Sequence, residues 1–138
     1  MVMIQRIQSL FLAAVVVICA VLFYLPLYEY SDEASGVVYG YLWSDTVLLV
    51  LNAIVLVLVA SVIFMYKNRK NQIRLCGLSM LLVTCEVVRV FYMSDVPGMS
   101  ATFNTGSYLV LASLVLLWLS IRSIRKDEQL VRSADRLR

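Results

Sequence analysis

The sequence predicts an all-α fold: an integral membrane four-helix bundle, both ends in the cytoplasm, with a cytoplasmic amphipathic helical extension at the C-terminus. Three observations predict it. Hydrophobic residues make up 62% of the 138 and charged residues 15%, with a mean hydropathy of +0.86; a soluble domain carries about half and a quarter. The apolar residues gather in four stretches. Finally, eleven of the twelve Lys and Arg residues fall in three short groups: Arg6, then Lys67, Arg69, Lys70 and Arg74, then Arg122, Arg125, Lys126, Arg132, Arg136 and Arg138. The polar stretches after Tyr28 and after Met93 hold Glu29, Asp32, Glu33, Asp45 and Asp95, and no Lys or Arg. Basic residues beside membrane spans stay cytoplasmic, so the alternation predicts four crossings of one domain over 1–138.

The first span is expected over 7–28, uncharged throughout and about 33 Å long as a helix. Its apolar run is longer than that of a cleaved signal peptide, so it reads as a retained helix with Pro26 near its outer end. The second is expected over 46–66, rich in Leu, Val and Ile and ending against Lys67. The third, over 75–93, carries two charges, Glu86 and Arg89. The fourth, over 107–121, is short for a span, and Ser107 and the snorkelling stem of Arg122 extend it. Residues 122–138 form the cytoplasmic tail. Tyr28, Tyr30, Tyr39, Tyr41, Trp43, Tyr92 and Tyr108 gather at the expected outer boundary, and Tyr66 and Trp118 at the inner one. The segment Val37–Trp43 is expected to partition into the outer interface, and Pro97-Gly98 to form a turn.

Several chemistries lack their residues. There is no His and no Cys-x-x-Cys, so a transition-metal site and a cofactor are not expected. Cys76 and Cys85 fall on opposite sides of one helix and cannot pair within it. The net charge of +3 comes from residues flanking spans, which explains it without nucleic acid. No nucleophile stands beside a base, so an enzyme is not expected.

The strongest candidate is an intramembrane polar cluster of Asn52, Glu86, Arg89 and Ser113, at comparable depths on three spans. Charges there are costly and often mark pathways. Glu86 and Arg89 stand three apart on one helix face and can pair, which would make them structural. The second candidate is the tail. Arg122, Arg125, Arg132 and Arg136 share one narrow sector of a helical wheel, and Glu128 can pair with Arg132. Such a face could lie on the anionic inner leaflet, dock a membrane-protein partner or a second copy, or simply be solvated.

Three stretches carry a family resemblance: the opening Met3-Ile4-Gln5-Arg6-Ile7-Gln8, the segment Tyr66-Lys67-Asn68-Arg69-Lys70-Asn71-Gln72-Ile73-Arg74-Leu75-Cys76, and the ending from Ile124 to Arg138. Together they resemble domain of unknown function 4293, a family of small bacterial four-span proteins. The resemblance implies a multi-pass protein of the bacterial inner membrane. It supplies no activity or site residue to carry over. The function expected is that of a non-enzymatic accessory or interaction subunit; the alternative is a small-solute or proton-coupled transporter using Glu86 and Arg89.

Overall fold

The computed structural model describes residues 2–34, 36–95, 97 and 100–138. Four helices dominate: α1 (Val2–Val21), α2 (Thr46–Phe64), α3 (Arg69–Ser94) and α4 (Thr105–Arg136). Each packs on its two neighbours in cyclic order, so the four enclose one core. Three of them, α2, α3 and α4, are long and apolar enough to cross a membrane. The apolar part of α1, Arg6–Val21, is shorter.

The buried positions repeat with a rule. On α1 and the turn that follows it they are Gln8, Leu12, Val15, Cys19 and Leu22; on α2 Leu48, Asn52, Val55, Val59 and Val62. On α3 they are Gln72, Cys76, Ser79, Val83, Glu86 and Val90, and on α4, after Gly106 and Ser107 in its first turn, Val110, Ser113, Leu117, Ser120, Ile124 and Asp127. Steps of three and four alternate along every helix, on α4 from Val110 onward. A repeat of 3.5 residues is the seam of a left-handed bundle with shallow crossing angles. Branched Val and small Ser and Cys on that seam let the backbones approach closely, while Leu10, Val17, Val57, Leu81 and Val88 point outward.

The fold is not purely helical. A three-stranded antiparallel sheet closes one end of the bundle, built from β1 (Tyr28–Asp32), β2 (Gly36–Gly40) and β3 (Ser100–Phe103) in the order β2-β1-β3. The first span expected over 7–28 is therefore corrected: α1 ends at Val21, and the chain turns through Pro26 into β1. Proline has no N–H to continue a helix, and Tyr28-Glu29-Tyr30 alternates with a strand's period of two. Val37, Val38 and Tyr39, part of the segment expected to partition into the outer interface, form the exposed edge strand of this cap. Of the expected Pro97-Gly98 turn, Pro97 lies in a turn and Gly98 is outside the described residues.

The cap is joined firmly to the helices. Glu29 accepts from Thr102 Oγ1 at 3.0 Å and from Asn104 Nδ2 at 3.1 Å, and Asn104 Oδ1 in turn accepts the Thr105 N–H at 2.7 Å, capping α4. Tyr30 donates to the Met93 carbonyl at the end of α3, and Ser107 to the Leu27 carbonyl. Gly106 donates to the Pro26 carbonyl at 3.0 Å, so close that a Cβ there would stand 2.5 Å from that oxygen. Only glycine fits. Across the strands, the Tyr28 ring lies over Gly40 in the space a side chain would occupy.

Candidate functional site: a polar seam

The buried seam is where the apolar helices keep their polar groups. On α3, Gln72, Ser79 and Glu86 follow one another at intervals of seven; on α4, Ser113, Ser120 and Asp127 do the same. Two heptad positions thus carry a polar residue in three successive turns of the repeat. The spacing was present in the sequence, but reading each span for total apolarity passes over it.

Most of these groups are satisfied locally. The Ser79, Ser113 and Ser120 hydroxyls donate to carbonyls three or four residues back on their own helices, at 2.7–2.9 Å. Gln72 Nε2 donates across to the Val62 carbonyl at 3.2 Å and ties the start of α3 to the end of α2. Asn52 Nδ2 donates across to the Cys19 carbonyl at 3.0 Å and ties α2 to α1. An amide that binds a helix carbonyl across an apolar interface holds the two helices in one register.

Glu86 and Arg89 do not pair with each other. Arg89 reaches toward the sheet end and takes Asp45 in both arms, Nε to Oδ2 at 2.7 Å and Nη2 to Oδ1 at 3.3 Å. Its guanidinium also stands 5.6 Å from the centre of the Tyr92 ring. Asp45 is the N-cap of α2, accepting from the Val47 N–H at 3.2 Å, so one carboxylate starts α2 and clamps it to α3. The Arg89 hydrogen bond, with help from the Val47 N–H, holds this carboxyl below its ordinary range against the opposing effect of burial. The expected pairing failed because a long side chain near a helix end reaches a carboxylate at the boundary more easily than one deeper in the core.

Glu86 is left buried without a cation. It is 2% exposed, and its Oε1 has no hydrogen-bond partner among the described residues. Asn52 Oδ1 and Gln8 Nε2 are also unpartnered. Since the Asp45–Arg89 and Val62–Gln72 contacts fix the antiparallel register of α2 and α3, Glu86 stands level with Leu48, and Asn52 lies about 6 Å deeper. The four expected cluster residues therefore do not form one network. Asn52, Glu86 and Ser113 face the core, whereas Arg89 lies at its margin, a third exposed.

At the opposite end α4 runs on without a break. Ile124 is fully buried and Asp127 nearly so, with Asp127 in an ion pair to Arg69 of α3 at 3.2 Å. The first turn beyond the expected span thus belongs to the bundle. Beyond it Arg132 pairs with Glu128 at 2.7 Å, while Arg122, Arg125 and Arg136 are exposed, as are Leu130 and Leu137. Arg122 stacks on Trp118, 5.6 Å from the ring centre.

The sequence model of domain of unknown function 4293 matches residues 4–137, nearly the whole chain. The chain belongs to that family. Neither the curated proteins nor the solved structures compared with it gave a match. For this member of the family, the site must be judged on its own chemistry. Among the described residues no three His, Cys, Asp or Glu side chains come together to hold a metal. What the site offers, among the described residues, is a buried acid without a cation, an amide with a free oxygen, and a basic rod at the other end.

Proposed function

We propose that this protein is a non-enzymatic four-span subunit of a bacterial inner membrane that works by holding another membrane protein, with both termini cytoplasmic. The observation that carries the reading is the length of α4. At 32 residues it is about 48 Å long, against a hydrocarbon core of about 30 Å. Its last two turns and C-cap carry exposed Leu130 and Leu137 alongside the arginines. Such a projecting amphipathic end suits a partner or a second copy of the chain. The orientation rests on the basic groups at Arg69–Arg74 and Arg122–Arg138 lying at one end. Photo-cross-linkers placed at Leu130 and Leu137 should capture one defined membrane protein or a dimer from native membranes. Adducts from Trp43 at the sheet end but none from these two positions would defeat the reading.

A second reading is favoured by one observation, the lone carboxyl of Glu86. A buried acid without a cation is the group a proton-coupled carrier uses. In that case Glu86→Gln abolishes proton-coupled solute flux in vesicles while the protein still inserts. Unchanged flux in the variant removes Glu86 from any transport step.

A further inference from the structure

We infer that the groove between α4 and α3 at the tail end binds the phosphate headgroup of an anionic glycerophospholipid. The groove has a volume of about 670 Å³ and is lined by Met80 of α3 and by Trp118, Ile121, Arg122, Arg125, Lys126 and Gln129 of α4. The inference rests on the membrane-spanning reading above, and gives one part of the basic face a ligand.

The six α4 residues, four of them in the adjacent pairs Ile121-Arg122 and Arg125-Lys126, share the broad side of the helix turned away from Leu117, Ser120, Ile124 and Asp127 in the core. Along about 12 Å of the helix the groove changes from an indole and a thioether to three cations. A phospholipid has the same gradient, acyl chain to glycerol to phosphate. An acidic soluble peptide does not, because half of this groove is apolar at the depth of a chain.

The cations are free to meet an anion. Of the acidic residues beside them, Asp127 is taken by Arg69 and Glu128 by Arg132, and none of the ion pairs among the described residues involves Arg122, Arg125 or Lys126. Stacking on Trp118 already orients the Arg122 guanidinium, so less freedom is lost when it binds. A neighbouring groove at Tyr66, Lys67, Arg69 and Lys70 is less suited, since Glu128 also lines it and Arg69 is engaged. Arg136 lies about 21 Å along the helix from Arg122, past the reach of a headgroup whose chains lie against Trp118.

Trp118 can report on the site, since Trp43 is the other tryptophan and lies at the sheet end. The full-length Trp43→Phe chain is placed in phosphatidylcholine vesicles holding a small fraction of either brominated phosphatidylglycerol or brominated phosphatidylcholine. Enrichment of the anionic quencher at Trp118 by at least about fivefold is expected, the factor one surface cation supplies. Adding R122Q, R125Q and K126Q should bring the two quenchers to equality, while K67Q, K70Q and R136Q, which remove the same charge, should leave the preference. Equal quenching by both lipids in the parent chain overturns the inference, as does loss of preference in both triple variants. So does loss on adding millimolar inorganic phosphate at constant ionic strength, which would show a free anion site. Quenching by neither lipid would instead mean that Trp118 meets no acyl chains, and would sink the membrane reading beneath it.

Discussion

The Asp45 carboxylate has two tasks on two helices: it caps α2 and accepts both arms of Arg89, and does so while buried. Its folded-state pKa lies below the ordinary value, so the stabilisation it gives is complete above the usual Asp range, about pH 4. It is lost as the pH falls from there through the lowered value. Thermal unfolding of the detergent-solubilised protein should show Tm dropping across that acid window. In Asp45→Asn the drop should be smaller and the Tm at neutral pH already lower. An acid limb identical in the variant would show that the clamp contributes nothing. Glu86 makes the contrasting case at the same scale, since nothing nearby answers its charge. From sequence the two carboxyls cannot be told apart, because which one Arg89 reaches depends on side-chain length and helix depth.

Two elements meet backbone to backbone where α4 begins. Gly106 brings the first turn of α4 against the chain leaving α1, and its neighbour Ser107 donates to the next carbonyl, that of Leu27. The contact that a Cβ would make is with backbone, which has no rotamer to yield. Gly106→Ala should therefore cost about 1–3 kcal/mol through overpacking and a displaced hydrogen bond. Chemical denaturation in mixed micelles would measure it. Gly77 makes the comparison useful, because nothing stands within 4 Å of a Cβ built there, and Gly77→Ala should be neutral or slightly stabilising. Equal effects at both positions would show that the fit against Pro26 does not decide the outcome. The same element scale explains the sheet. β1 and β2 are neighbours in sequence, but only the closure of the bundle brings Tyr28 of β1 to Phe103 of β3 and Ser31 to Ser100.

Across the whole molecule, the charge pattern predicts an orientation. Reporters fused beside Asn71 and beside Pro97 should lie in opposite compartments, the first cytoplasmic. Finding both on one side would contradict the crossing of α3. Inside the bundle the usual sorting is partly reversed, with Asn, Gln, Glu and Ser facing the core and Leu and Val facing outward. Such sorting suits a chain whose surroundings are as apolar as its own side chains, because a polar group gains more from another helix than from lipid.

Composition and basic clustering were enough to predict a helical membrane protein, because spanning length and charge placement are properties of contiguous sequence. The helical frame, the Glu128–Arg132 pair and the exposed tail arginines follow from local spacing in the same way. Tertiary structure alone decided that α1 stops at Val21, that a sheet caps the bundle, that Arg89 answers Asp45, and that Asp127 holds Arg69. Each joins residues far apart in the chain, and their meeting depends on how four helices share one seam, which no single span encodes.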